Sequence, residues 1–226
     1  MNTSLRVTAC ALASLLGASD ALKIGMISDM HINLHYDPSV AIDESGDGHC
    51  TRGRGIPSTI HAPMGRYGCD SPAALVESML QGFLAKEGKQ DVIFFTGNFA
   101  AHHVVKIDKN GHESKETQEM MLDTLNAMTQ LFAHYFPDTL VLPSFGNTDI
   151  ASIDKPVADE EHNRFHQKIF DLWFETLPGN VDNLKKSQVD SIRDSFDQGG
   201  YYRVDLTDKI SLLSINTLYY TSKRTH

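Results

Sequence analysis

The sequence predicts an α/β protein in which helices cover a parallel β-sheet. Three short apolar runs, at 22–28, 91–96 and 139–145, each end in polar residues, which is typical of buried parallel strands. Helical patterns separate the runs, and this alternation favours βαβ units. Since ligands of such sheets bind beyond the carboxyl ends of the strands, we expect the three strand ends to meet at one crevice.

Two helical patterns lie between these strands. The first is expected to open at Ser71–Pro72, because Ser can cap a helix and Pro suits its first turn. Its predicted apolar face consists of Leu75, Met79, Leu80 and Phe83. The second pattern covers 114–135 and places its apolar residues at steps of three and four. These residues, which we interpret as core, are Met121, Leu125, Met128, Leu131, Phe132 and Tyr135.

A different pattern follows residue 150. Two further helical stretches are predicted at about 160–175 and 183–196, and Gly199–Gly200 ends the second. Two strand-like runs, 201–206 and 210–215, then flank a short polar turn, which predicts a β-hairpin.

Length and charge limit the classes of function. The chain has 226 residues, 41% of them hydrophobic, which allows a single domain with a sizeable core. Its formal net charge is −9, from 20 basic and 29 acidic residues, and no run of Lys or Arg would track a phosphate backbone. Nucleic acid is therefore not expected as a partner.

The first 21 residues have the pattern of a secretory signal peptide. Arg6 precedes an apolar run at 7–17, and Ser19 and Ala21 supply small residues for cleavage after Ala21. The alternative is a buried first helix, since the run is too short to span a bilayer. No later stretch reaches the length of a transmembrane segment. We expect a mature chain of 22–226 that is secreted, or delivered to the lumen of the secretory or lysosomal pathway.

Export also bears on the cysteines. Cys10 would leave with the signal, so Cys50 and Cys69 remain as an even pair in an oxidising compartment. We predict a disulfide between them, which would close a segment with little apolar content. The alternative is a pair of buried free thiols.

Polar residues follow each predicted strand of the sheet. Asp29 and His31 place a carboxylate and an imidazole two residues apart, a spacing at which both can hold one metal ion. Gly97–Asn98 follows the second strand and 146–149, with the sequence Gly-Asn-Thr-Asp, follows the third. Tight turns and oxygen ligands at these ends are what a second ion would need.

The order of these motifs resembles the signature of the calcineurin-like metallophosphoesterase superfamily. In addition, Tyr67-Gly68-Cys69-Asp70-Ser71-Pro72 resembles a segment of the acid-sphingomyelinase-like phosphodiesterase family, and 196–202 and 214–220 are similar to later family segments. The resemblance covers about 22–222. It implies a metallophosphoesterase-type α/β/β/α sandwich of which this chain is the N-terminal portion, incomplete at its C-terminus.

The resemblance also implies a chemistry. Members of the family hydrolyse phosphoester bonds with two cations, usually zinc, that a carboxylate bridges. By position, Asp29 and His31 would bind the first ion and Asn147 the second, while Asn98 stands at the bridging position. Thr148 stands where the family has a catalytic histidine. A phosphodiester or a phospholipid-type small molecule would be the ligand.

These departures from the family pattern predict a weak or inactive centre. Asn98 is neutral and cannot offset the repulsion of two cations, and the hydroxyl of Thr148 cannot act as a cationic proton donor. Further family histidines follow the region of 214–217, whereas this chain ends at His226. The alternative function is that of a pseudoenzyme that binds a phosphorylated ligand or a protein partner.

Three more residues are candidate metal ligands. His102 and His103 follow the Gly97–Asn98 turn and would reach the crevice, unless they are exposed loop residues. Asp149 is either a ligand or an ordinary turn residue.

Overall fold

The computed structural model describes residues 21–42, 50–51, 55–102, 115–149 and 160–220. The strands are β1 (Ile24–Ile27), β2 (Ile32–Asn33), β3 (Val40–Ala41), β4 (Ile56–Pro57), β5 (Ser71–Pro72), β6 (Val92–Phe95), β7 (Leu140–Pro143), β8 (Tyr202–Asp205) and β9 (Ser211–Ser214). The α-helices are α1 (Ala73–Glu87), α2 (Lys115–Tyr135), α3 (Glu160–Phe170), α4 (Pro178–Asn183) and α5 (Lys186–Gly199). A π-helical turn covers Asp171–Thr176 and a 3₁₀ turn covers Leu218–Tyr220.

The three predicted strands form one parallel sheet in the order β1-β6-β7. In its register Ile24 lies opposite Val92, which lies opposite Leu140. Strands β6 and β7 are buried almost throughout, whereas one face of β1 is open to solvent, with Met26 70% exposed. The mixed α/β class and the parallel sheet are confirmed.

The start of α1 corrects one sequence expectation. Ser71 and Pro72 do not begin the helix but form β5, which pairs in parallel with β2. The Ser71 N–H donates to the His31 carbonyl at 3.0 Å, and Pro72 is extended, with ψ 152°. The pairing with β2 keeps this dipeptide extended. The helix therefore begins at Ala73, with Pro72 as its N-cap residue.

The predicted apolar face of α1 is also partly wrong. Val76 and Leu80 are buried, whereas Leu75 and Met79 are 40% and 38% exposed. Phe83 packs against the core as expected, although it is only partly buried. Leu75 and Met79 lie on the same turns as the buried pair, but helix α1 packs against α2, β2 and β5 through the neighbouring stripe.

Helix α2 begins and ends within a residue of its prediction. Its interior residues Met121, Leu125, Met128 and Phe132 are buried, and Leu131 and Tyr135 pack against the core as partly buried residues. The periodicity of this helix was therefore sufficient to find both its bounds and its buried face.

The two helical stretches that follow residue 160 are more broken than predicted. The first continues from α3 into the π-helical turn, and the second is interrupted at Leu184 and Lys185, both extended. Helix α5 continues three residues beyond the predicted end at 196, to Gly199, and Gly200, which has φ +66°, donates its N–H to the Phe196 carbonyl at 2.7 Å. A left-handed residue directly after a helix favours glycine.

Helix α4 is attached to β7 by a buried asparagine. The Asn180 side chain accepts the Val141 N–H at 2.7 Å and donates to the Val141 carbonyl at 2.7 Å, so it pairs with this strand as a neighbouring strand would. It also donates to the Trp173 carbonyl at 2.6 Å and is fully buried. The sequence analysis did not single out this residue.

The hairpin and the disulfide are both as predicted. Strands β8 and β9 are antiparallel, with Tyr202 opposite Ser214, and β8 packs against α5. Cys50 and Cys69 are bonded, with their Cα atoms 5.8 Å apart, and Cys50 is fully buried. The bond therefore closes the segment between residues 50 and 69, which contains β4.

Aromatic side chains form the centre of the core beneath the strand ends. The Phe145 ring lies 5.1 Å from that of Trp173 and 5.5 Å from that of Phe196, and Phe99 stacks on Trp173 at 5.5 Å. This cluster joins β6 and β7 to the π-helical turn and α5, so the turns that follow these strands rest on a rigid base.

The predicted signal peptide lies outside the described residues, apart from Ala21. Among the residues that the structure describes, no helix combines the length and the apolar character that crossing a bilayer requires.

Candidate metal centre

The turns that follow β1 and β6 are joined by backbone hydrogen bonds. The Asp29 N–H donates to the Gly97 carbonyl at 3.1 Å, and the His31 N–H donates to the Asn98 carbonyl at 2.9 Å. The parallel ladder of the sheet thus continues beyond the strands and places the two predicted motifs side by side. This confirms the expected convergence of these strand ends.

Two glycines allow the turn that follows β7 to pack closely against the turn that follows β6. A Cβ at Gly97, which has φ +92°, would lie 2.6 Å from the Cα of Gly146. At Gly146 an added Cβ would lie 2.7 Å from the side-chain carbon Cγ of Asn98. Neither position tolerates a side chain, so these glycines are required for the packing of the turns after β6 and β7.

The polar residues of the first two turns have unusual backbone conformations. Asp29, His31 and Asn98 have φ of 54°, 43° and 59°, in the left-handed region that non-glycine residues seldom adopt. Such conformations persist where the surrounding structure enforces them, and they concentrate at functional sites. Here the hydrogen bonds between the two turns supply that enforcement.

Asp29 and His31 are arranged as a pair of ligands for one ion. The Nε2 atom of His31 lies 3.7 Å from Oδ1 of Asp29, and the His31 Nδ1 atom lies 3.1 Å from the Ala100 carbonyl oxygen. Since a carbonyl only accepts, Nδ1 carries the proton and Nε2 keeps its lone pair on the side of Asp29. The carboxylate is 59% exposed and the imidazole 17%, so an ion can reach them from solvent.

Asn98, at the position where the resemblance predicts a bridging ligand, is held by other contacts. Its Nδ2 donates to Oδ1 of Asp29 at 2.7 Å, and its Oδ1 accepts from the backbone N–H and the hydroxyl of Thr148, both at 3.3 Å. The amide therefore presents N–H to the Asp29 carboxylate at the place where a second cation would need an anion. These residues do not fit a carboxylate-bridged pair of ions, whereas Asp29 and His31 fit a single one.

The charge state of Asp29 suits this arrangement. The hydrogen bond from the Ser28 hydroxyl, followed by that from Asn98, holds the pKa of Asp29 below its usual value. The carboxylate is thus ionised at neutral pH and available to a cation.

The turn after β7 contains the remaining predicted residues. Asn147 is exposed, and Thr148 is half-buried and contacts the Asn98 amide. Thr148 lies beside Asn98 because Gly146 brings the turn close, and among the described residues no hydrogen bond joins Asn147 to the Asp29–Asn98 pair. His103, the other histidine that the sequence suggested, lies outside the described residues.

Asp149 is neither a metal ligand nor an ordinary turn residue. It is fully buried, and its carboxylate accepts four backbone N–H groups at 2.7–3.0 Å, from Asn98, Phe99, Ala100 and Gly146. Burial raises its pKa to about 6, against the effect of these four donors. Asp149 ties the turn after β7 to the turn after β6, and all of its acceptor capacity is used within the fold.

A second group of ligands, which the motif comparison did not bring together, includes His31 together with Asp70 and His102. The Nδ1 atom of His102 lies 2.7 Å from Oδ1 of Asp70, and the His102 backbone N–H donates to Oδ2 of the same carboxylate at 2.8 Å. The His31 and His102 rings stack, with centroids 4.0 Å apart and planes inclined by 17°. Each of these three residues offers a ligand atom within 4.8 Å of the others.

Sequence reasoning named His102 but not its partner. Asp70 stood in the family segment next to Cys69 and had no assigned role, and no local pattern connects it to a histidine 32 residues away. The signal in the sequence was a carboxylate directly before the dipeptide Ser71–Pro72.

Three known proteins illustrate what this chain is similar to. It is 28% identical over 195 residues to the human acid sphingomyelinase-like phosphodiesterase 3b, covering 84% of this chain and 38% of that protein. It is 28% identical over 157 residues to sphingomyelinase phosphodiesterase C of Dictyostelium discoideum, covering 70% of this chain and 30% of that one. It is 26% identical over 212 residues to the endopolyphosphatase of Schizosaccharomyces pombe, covering 87% and 33% respectively.

No protein-family model matches the chain. The chain spans roughly a third of the length of the curated relatives that it matches. These relatives confirm the resemblance that the motifs indicated, at modest identity over most of the chain, and the described α/β structure is consistent with their fold.

Proposed function

Because this chain is a homologue of the acid sphingomyelinase-like phosphodiesterases and endopolyphosphatases of the metallophosphoesterase superfamily, we propose that it is a phosphodiesterase-type protein with a degraded metal centre. It holds at most one cation firmly and hydrolyses phosphodiesters weakly or not at all. The proposed domain is the phosphoesterase domain, from residue 22 to residue 226.

The hydrogen bond between Asn98 and Asp29 is the observation that carries this proposal. The Nδ2 donor lies 2.7 Å from the carboxylate, so the side chain at the bridging position stabilises the site without an ion. To bring a second cation there, the protein would have to break this bond and turn the amide, and a neutral oxygen would then replace an anion.

The residues proposed as metal ligands are Asp29, His31, Asn98 and Asn147. Asp29 and His31 supply an ionised carboxylate and a neutral imidazole, which suit zinc, and zinc when bound would polarise a phosphoryl oxygen. Asn98 and Asn147 offer only neutral amide oxygens, and zinc binding is expected to be weak in consequence.

Thr148 supports the same conclusion for proton transfer. Its hydroxyl donates to the Asn98 amide at 3.3 Å and is not acidic enough to protonate a leaving group near neutral pH. His102 is the imidazole of the described residues that could take over this task, since Asp70 accepts from its Nδ1 and would stabilise the protonated ring.

The second candidate function is a pseudoenzyme that binds a phosphorylated ligand or a protein partner. The same substitutions at Asn98 and Thr148 favour it, because they remove charge that hydrolysis needs while the turns keep their shape. The two candidates share the site and differ only in whether turnover follows binding.

The ligand class follows from the relatives. Their names describe enzymes that act on sphingomyelin and on polyphosphate, which are a phosphodiester and a phosphoanhydride. For this chain we propose a small phosphodiester or a phospholipid-type molecule.

Hydrolysis of a chromogenic phosphodiester, with and without added zinc and with a chelator, tests the proposal. We expect no chelator-sensitive turnover above background, since removing one well-placed electrostatic group commonly costs about 10²–10³ in rate and two are missing. The double variant Asn98→Asp, Thr148→His should bind zinc more tightly and still turn over little. Robust zinc-dependent turnover by the unmodified chain would contradict the degraded-centre proposal.

Export through the secretory pathway completes the proposal, with cleavage of the signal peptide after Ala21. Amino-terminal sequencing of material secreted by an expressing cell should begin at Leu22. Secreted material that begins at Met1 would refute the assignment of the signal.

A further inference from the structure

We propose that His31, Asp70 and His102 form a single-ion site for a divalent transition metal. This inference rests on the proposed function only in taking His31 as a metal ligand. It replaces the two-ion centre, which Asn98 does not fit, with a site made of two imidazoles and one carboxylate.

The distances between the three side chains support the site. One ligand atom from each residue lies within 4.8 Å of the other two. Around a tetrahedral ion with bonds of about 2.0–2.1 Å, ligand atoms are roughly 3.3 Å apart. The cluster therefore needs to contract by up to roughly 1.5 Å at its widest contact, which rotation about side-chain torsions can supply.

The chemical types of the ligands select the metal. Two histidines and a carboxylate are a donor set that binds zinc, nickel, cobalt and copper, whereas calcium and magnesium require mainly oxygen ligands. Three protein ligands also leave a coordination position open, which is where an exogenous oxygen, such as one of a phosphate, would bind.

The fold holds two of the three ligands in position. The His31 Nδ1 is fixed by the Ala100 carbonyl at 3.1 Å, and the His31 carbonyl accepts the Ser71 N–H at 3.0 Å. Asp70 lies between Cys69, which is bonded to Cys50, and the strand residue Ser71. Hydrogen bonds to the supporting residues of a metal ligand are typical of real sites, because they fix its orientation.

The charge at Asp70 also favours a cation. Its side chain is only 13% exposed, and within the described residues its one ion-pair partner is His102, at 2.7 Å. A partly buried carboxylate beside an imidazole offers the oxygen and nitrogen donors that such a metal binds.

His102 is the ligand that has to move. Its ring lies nearly parallel to that of His31, so the in-plane lone pairs of the two rings do not converge on one point. The His102 side chain is 53% exposed, and the separation of 2.7 Å between its Nδ1 and Asp70 would open to about 3.3 Å as coordination replaces the hydrogen bond.

The test measures zinc and cobalt binding by the disulfide-intact chain after chelator treatment and dialysis. Titration calorimetry at pH 7.5 should give one zinc per chain, and cobalt should produce the visible absorption of a low-symmetry site with nitrogen and oxygen ligands. The variants Asp70→Asn and His102→Ala should each weaken binding by about tenfold or more. The variant Asn147→Ala reports on the ligand position that the family resemblance implies, and the matched control His134→Ala, at an exposed position on α2, should leave binding unchanged.

Each outcome decides one question. Binding that depends on Asn147 but not on Asp70 or His102 would place the ion at the family position and overturn this inference, as would the absence of any binding by the unmodified chain. Circular dichroism and thermal unfolding establish that the variants fold, and His102→Gln serves if His102→Ala does not. The phosphodiester assay is a separate readout, so zinc-dependent turnover refutes the degraded-centre proposal without bearing on which residues hold the ion.

Discussion

Replacement of Asp149 by asparagine should destabilise this protein strongly, although the two residues have almost the same shape. The carboxylate is fully buried and accepts the backbone N–H groups of Asn98, Phe99, Ala100 and Gly146 at 2.7–3.0 Å. Oδ1 serves Phe99 and Ala100, and Oδ2 serves the other two. An amide keeps one of these oxygens and turns an NH₂ group towards the remaining pair of donors.

The magnitude follows from the two hydrogen bonds that the amide cannot accept. A buried donor left without a partner costs about 1–3 kcal/mol, so two of them cost roughly 2–6 kcal/mol before any relaxation. With a urea m-value of about 3 kcal/mol/M, even the lower figure moves the unfolding midpoint by roughly 0.7 M. That is a large share of the stability of a single domain.

Urea unfolding of the disulfide-intact chain, followed by circular dichroism, measures this change. The measurement is made at pH 7.5, above the pKa of about 6 to which burial raises Asp149, so that the carboxylate is ionised in the reference protein. Asn147→Ala, two residues away and exposed, is the matched control and should shift the midpoint little. A loss of less than about 0.5 kcal/mol for Asp149→Asn would show that this carboxylate does not organise the turns as described.

Two further predictions concern the scaffold around the site. The pair Cys50→Ser, Cys69→Ser should lose about 2–5 kcal/mol of unfolding free energy, and reduction of the unmodified chain should add two mass units to its intact mass; two alkylatable thiols in the folded protein would contradict the bond. Asn180→Ala removes three hydrogen bonds of 2.6–2.7 Å at a buried position and should cost at least about 2 kcal/mol, with faster hydrogen exchange at Val141. Unchanged exchange at Val141 would mean that Asn180 does not pair with β7.

Much of the architecture was predictable because the relevant signals are local. The three apolar runs, the periodicity of α2 and the Gly199–Gly200 stop depend on burial and backbone preference within a few residues, and the structure confirms them. The predictions were wrong where contacts with a distant segment determine the local structure. Pairing with β2 keeps Ser71 extended, and the packing of α1 buries Val76 instead of Leu75.

The features of the site also fall into those that the local sequence predicts and those that depend on the whole fold. The sequence by itself determined that Asp29, His31 and Asn98 follow strands of one parallel sheet, since strand ends of such a sheet share an edge. Which way the Asn98 amide points, and with whom Asp70 pairs, only the tertiary structure decided. A side-chain contact across 32 or 69 residues depends on angles and distances that accumulate through the whole fold, and no residue pattern near either partner encodes them.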